Sequence, residues 1–162
     1  MFKYILQLII GIFILAVSTF IAWYEGSAII DNSLEWKYST PFTDLFNIDI
    51  TNGRDISQLD YFVYSAKFQP LFPTIMMVCV LYILSVIGYY LIKRNTNWAI
   101  GFWGLTGCIC ILLSGLIFNS PTIGGRIFFG MTFISGILSM AITVIVWLRN
   151  SKHYLIVKTK SL

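Results

Sequence analysis

The sequence predicts an all-α membrane protein. The expected form is a four-transmembrane-helix bundle with one partly ordered outer loop, in which a short β-hairpin and a helix are anticipated. Three observations lead there. Of 162 residues, 57% are hydrophobic and only 11% are charged, about half the charge of an ordinary soluble domain. The mean hydropathy is +0.80, a value that suits a lipid-embedded chain. The four main apolar runs contain no Asp, Glu, Lys, Arg or His.

Each span is placed by length. Crossing about 30 Å of hydrocarbon takes roughly 20 mostly apolar residues. The first run covers about residues 4–23. Lys3 and the small residues Gly26-Ser27-Ala28 resemble a cleaved signal sequence, but the apolar stretch Ile5 to Ala22 is too long for a signal core. It is therefore expected to stay as a helix. The second run covers 71–92, with Pro70 and Pro73 where a helix start tolerates them. The third covers 98–118 and the fourth 127–148. A long loop, 24–70, joins the first two. The other connections are short, and Pro121 with Gly124-Gly125 marks a turn. Short connections make neighbouring helices antiparallel, so residues 1–162 are read as one transmembrane domain.

Charge sets the orientation. One side of the membrane would hold Lys3, Lys93, Arg94, Arg149, Lys152, Lys158 and Lys160, with no acid. The other would hold Lys37, Arg54, Lys67 and Arg126 together with all seven acids. Lys and Arg accumulate on the cytoplasmic face. Both termini are therefore expected in the cytoplasm of a plasma membrane, with the long loop outside. Trp23 and Tyr24 at one edge, and Tyr89, Tyr90, Trp98 and Trp147 at the other, fit interfacial aromatic belts. This distribution explains the net charge of +4 better than nucleic-acid binding does.

Within the spans, small residues stand out. The third has Gly101, Gly104, Gly107, Cys108, Ser114 and Gly115; the fourth has Ser135, Ser139 and Thr143 at successive i+4 steps beside Gly136. Small stripes let helices approach closely in lipid. The tight turn between these spans favours packing on each other over self-association. Cys108 and Cys110 lie two residues apart, about 200° around a helix, so they suit packing rather than a shared ligand. Cys79 is also in an apolar run, and no disulfide framework is expected. Gln7, Ser18 and Thr19 need only local hydrogen bonds. His153 falls in a basic tail. No ionisable residue lies mid-span, which counts against ion-coupled transport. Zinc-protease, phosphate-loop and nucleophile-elbow patterns are absent, and no cofactor is expected.

The loop carries the remaining signal. It holds seven acids against Lys37, Arg54 and Lys67, so 3 − 7 gives −4. Leu34, Trp36 and Tyr38 alternate, as do Phe46, Ile48 and Ile50, which suggests two short strands. Asn52-Gly53 suggests their turn, best with Ile50 opposite Ile56. These six apolar residues are expected to form an underside resting on the helix ends. Beyond them, Ile56, Leu59, Phe62 and Val63 are spaced for a short helix that Ser57 or Asp55 would cap. The run Asp49 to Asp55 has the flavour of a calcium loop, but its glycine is misplaced and the terminal Glu is missing. No metal is expected.

The segments WYEGSAIIDN-SLEWKYSTPFT and DISQLDYFVYSAKFQPLFP resemble the YjdJ-like small membrane proteins of Bacillus and relatives, a family of unknown function. The likeness covers the first span, the loop and the start of the second span. It implies a Gram-positive plasma membrane location and supplies no catalytic residues. Claudin-like four-helix proteins share the layout, but their paired loop cysteines are absent here.

The reading that follows is a non-enzymatic envelope protein that engages a partner through its acidic, aromatic outer loop. Glu35, Trp36, Tyr38, Asp44, Asp49 and Asp55 are the candidate partner surface. The partners expected are the lipid bilayer and an envelope protein or a second copy of the chain. Two alternatives stay open. One is a small oligomeric transporter or channel. The other is a membrane enzyme on a lipid-linked substrate, for which Asp31 and Glu35 would share a face if that segment were helical.

Overall fold

The protein is described here by a computed structural model covering the backbone of residues 2–160 and the side chains of 3–151. Among the described residues there are α-helices and short 3-10 turns and no strand. The α-helices are α1 (Phe2–Gly26), α2 (Trp36–Ser39), α3 (Pro41–Leu45), α4 (Gln58–Phe68), α5 (Leu71–Arg94), α6 (Thr96–Ile117) and α7 (Ile123–Lys160).

Four of these are long and apolar enough to cross a membrane: the stretches Lys3–Asp31, Leu71–Arg94, Thr96–Ile117 and Ile123–Ser151. The shortest, α6, has 22 residues and so is about 33 Å long. Its start is fixed by Asn95, whose side chain accepts from the amides of Asn97 and Trp98 at 3.1 and 3.4 Å. That satisfies two of the donors a helix start leaves unpaired. Lys93 and Arg94 close α5, where positive charge complements the helix dipole. The last helix runs 38 residues, well past the end expected for the fourth span. The His153 side chain lies outside the described residues.

The chain divides into two compact units. The first comprises the start of α1, residues 81–119 and the chain from 128 onward. Here α6 and α7 meet through their small residues. A Cβ at Gly107 would stand 3.0 Å from Met140, and one at Gly136 would stand 2.7 Å from Ile111. Ser139 is buried and its carbonyl accepts from the Thr143 hydroxyl at 2.9 Å. Much of the small-residue pattern therefore serves packing inside the chain. Elsewhere the helices turn bare apolar side chains outward, Leu116 at 83% exposure among them, as a lipid-facing surface requires.

The second unit comprises residues 9–80 and 120–127, and contains the whole of the loop. The loop is helical throughout its regular parts, so the expected β-hairpin is not formed. Leu34 lies in the 3-10 turn Ser33–Glu35, and Trp36 and Tyr38 lie in α2. Three-residue alternation is too short to impose a strand. Pro41, with its fixed φ, instead opens α3 at the first helical position. Asn47 ends α3 at φ 53°, with the Asn47 amide on the Asp44 carbonyl and the Ile48 amide on the Thr43 carbonyl. This left-handed cap turns the chain away from the direction a first strand would take. Asn52 and Asp55 then form a reciprocal cap around the turn Gly53–Asp55 in place of a hairpin.

Candidate functional site

The loop is a small folded cap with its own core. Ile29, Ile56, Tyr61 and Tyr64 are buried together, and Ile30, Trp36 and Ile50 pack against them. Burying each large side chain is worth about 1.5–3 kcal/mol. The expected underside is therefore corrected. Trp36 and Ile50 do pack inward, but Leu34, Tyr38, Phe46 and Ile48 are exposed. The missing inner positions come from the 3-10 turn after α1 and from α4. Residues 61 and 64 of α4 point inward while Leu59 is exposed.

Polar contacts lock this core. Its centre is Asp60, which is fully buried. The Asp60 carboxylate accepts from the amides of Phe42 and Thr43 at 2.9 and 2.8 Å and from the Thr43 hydroxyl at 2.6 Å. Both amides belong to the first turn of α3, which has no local capping side chain. A negative charge suits that position because the helix start carries partial positive charge. The Thr43 hydroxyl in turn accepts from the Ser57 amide at 2.8 Å, and the Ser57 side chain caps α4. One carboxylate thus ties α3 to the start of α4.

Further bonds close the cap. The Trp36 indole donates to the Ile29 carbonyl at 2.8 Å, and Asn32 donates to the Tyr64 hydroxyl at 3.2 Å. Lys67 donates to the Tyr38 carbonyl and to the Ser39 hydroxyl. Burial pushes the Lys67 ammonium below its usual pKa, and the charges of Glu35 and Asp60 partly oppose that. Two glycines set the contacts with α4. A Cβ at Gly26 would overlap the Tyr61 carbonyl, and one at Gly124 would overlap that of Ala66. The Ser65 hydroxyl and one Glu25 oxygen are buried without a hydrogen-bond partner, and nothing in the structure explains them.

The six candidate surface residues fall into two sets. Tyr38, Asp44 and Asp49 are exposed. Glu35 and Trp36 are half-buried, and Trp36 is committed to the core. Asp55 is half-buried, and its carboxylate accepts from the Thr51 hydroxyl at 2.7 Å and from the Thr51 and Asn52 amides at 3.0 and 2.8 Å. Led by the Thr51 hydroxyl, these bonds hold its pKa below the usual aspartate range. Bare apolar groups are exposed as well: Leu45 at 69% and Phe46 at 55%, next to Asp44 in the chain, and Leu34 at 83%. The exposed surface of the cap therefore includes aliphatic and aromatic side chains as well as carboxylates.

Asn32, at φ −115° and ψ 73°, breaks the chain between the two 3-10 turns that hold Asp31 and Glu35, so these acids do not share a helix face. Among the described residues no group of three or more His, Cys, Asp or Glu side chains is placed to hold a metal ion. Cys79, Cys108 and Cys110 are free thiols.

A family model described as a domain of unknown function, DUF4306, matches residues 5–92. That interval takes in most of α1, the whole cap and nearly all of α5, just over half of the chain. The chain is also 33% identical over 85 residues to the uncharacterized protein YjdJ of Bacillus subtilis (strain 168), an alignment covering 51% of this chain and 78% of that protein. No solved structure matches.

Proposed function

We propose that this chain, which belongs to the DUF4306 family of unknown function, is a non-enzymatic plasma-membrane protein whose outer cap captures an envelope partner. Its termini are cytoplasmic, because Lys and Arg without acids mark that side. The observation that carries the reading is the two-sided build of the cap. It has a packed core held by Asp60, while its surface leaves Leu45 and Phe46 bare in the segment between Asp44 and Asp49, with Leu34 and Tyr38 also exposed. Apolar groups rimmed by charge mark interaction surfaces. Carboxylates on that rim favour a basic partner by steering and register. The family match supports the same surface, since it spans the cap and its two flanking helices.

A photo-crosslinking side chain at Tyr38, introduced in cells, tests this. The expected result is a discrete adduct with another envelope protein, lost when Asp44 and Asp49 are both changed to Lys at unchanged abundance. Adducts only with lipid would refute partner capture, and adducts only with a second copy would recast the cap as a self-association surface.

A further inference from the structure

Where α5 gives way to α6, a cavity of about 690 Å³ lies among α5, α6 and α7. All its lining residues belong to one compact unit. The lining has two characters. Lys93, Thr96, Arg149 and Asn150 bring donors, while Ile142 and Ile145 bring an apolar wall. Two of the polar groups are anchored. The Lys93 ammonium donates to the Tyr4 hydroxyl at 3.2 Å and sits 4.7 Å from the centre of the Tyr89 ring. Asn150 donates to the Asn97 side-chain oxygen at 3.1 Å. A lysine ammonium has three donors, so Lys93 can serve a ligand without leaving Tyr4.

The charges in this cavity have no internal counterpart in the sequence. All seven acids lie between Glu25 and Asp60, within the other compact unit. Two cations from different helices therefore line one cavity, and both would attract an anion placed there. The volume falls within the range of small-molecule sites, roughly 300–1,000 Å³. An aliphatic wall next to paired cations asks for a ligand with an anionic head and a hydrocarbon tail. Phosphate is the head that Arg and Lys recognise best, Arg by its planar fork. Basic pockets between membrane helices are where such heads bind.

We propose that this cavity is a binding site for the phosphodiester headgroup of an anionic lipid. Arg149 and Lys93 hold the phosphate, and an acyl chain runs along Ile142 and Ile145. The site is independent of the outer cap and stands whether or not the cap has a partner.

The test uses the full chain in neutral detergent, titrated with phosphatidylglycerol or phosphatidylcholine, with bound lipid counted by native mass spectrometry. One phosphatidylglycerol should be retained with a preference of roughly tenfold or more, as expected for charge-assisted bonds. The K93Q/R149Q double variant should lose the preference. K3Q/R94Q, which removes two other cations outside the cavity lining, should keep it. R149Q alone, checked by an unchanged melting temperature, serves if the double variant does not fold, and should weaken retention severalfold. Equal retention of the two lipids, an undiminished preference in R149Q, or a preference that survives in K93Q/R149Q overturns the site. Displacement of phosphatidylglycerol by an equal concentration of water-soluble glycerol phosphate would overturn the lipid as its source and assign the phosphate site to soluble phosphoesters.

Discussion

Replacing Asp60 by Ala should loosen the cap and leave the four long apolar helices in place. The magnitude follows from the bonds removed. Thr43 loses the acceptor for its buried amide and Phe42 for its partly buried one. The Thr43 hydroxyl loses an acceptor but keeps the Ser57 amide as donor. Each stranded group costs about 1–3 kcal/mol, less where water reaches it, so the sum is about 2–4 kcal/mol. The four-residue apolar core offers roughly 6–12 kcal/mol before chain entropy is counted. The loss is thus large for the cap without abolishing its reason to fold. Asp60→Asn should fall between, since one oxygen still accepts while the new NH2 meets donors. Amide hydrogen exchange in nanodiscs reads this directly. A loss of 2–4 kcal/mol lowers protection by roughly 30- to 1,000-fold over Phe42–Asn47, with amides of α6 as an unchanged reference. Protection within about threefold of the parent in Asp60→Ala would refute the reasoning, and an equal fall in α6 would show that the cap is not a separate cooperative unit.

Three further outcomes are expected. Asn47→Gly should raise the melting temperature of the cap slightly, because the left-handed conformation at φ 53° no longer carries a Cβ, whereas Asn47→Val should cost about 1–2 kcal/mol. The lowered pKa of Asp55 means that its contribution is present above roughly pH 3.9 and is lost as pH falls through the lower folded value; Thr51 and Asn52 amide resonances should titrate only there, and Asp55→Asn should abolish that titration. Single reporter cysteines at Asn97, Ser120 and Ser161 in a cysteine-free chain should react with an impermeant thiol reagent on intact cells only at position 120, and labelling at 97 or 161 would reverse the proposed orientation.

The spans were legible because their signal is local and redundant. Some twenty consecutive apolar residues without a charge leave a lipid-exposed backbone few solutions besides a helix. Ser57 at the start of α4 was legible for the same reason, since a cap and its helix are adjacent in sequence. The interior of the cap was not. Its alternating triplets, Leu34-Trp36-Tyr38 and Phe46-Ile48-Ile50, suit a strand on paper, yet only Trp36 and Ile50 reach the core. What decides the matter is long-range. Asp60 caps α3 from 17 and 18 residues away, and no spacing rule links an aspartate to a helix start at that distance. Asp55, expected to stay exposed, is half-buried for a related reason: a polar tip that points to backbone looks the same in sequence as one that points to water.

The concentration of acids in one loop needs more than membrane topology to explain it. Topology is set by Lys and Arg, and Asp and Glu contribute little to it. A cap built from short helices has its own demand for acceptors, because each helix start leaves backbone N–H groups unpaired. Long spans meet that demand rarely per residue; α3, with five residues, meets it almost at once. Carboxylates answer it well, since they are acceptor-only and carry the sign that a helix start favours. Asp60 does so for α3 and Asp55 for the turn Gly53–Asp55. This separates the acids by role. Those two are fixed to backbone and would be poor choices for binding. Asp31, Asp44 and Asp49 are exposed, and of these Asp44 and Asp49 flank the bare Leu45 and Phe46. For the proposed partner, Asp44 and Asp49 are therefore the carboxylates set beside bare apolar groups, and substitutions at Asp55 or Asp60 should change binding only by way of the fold.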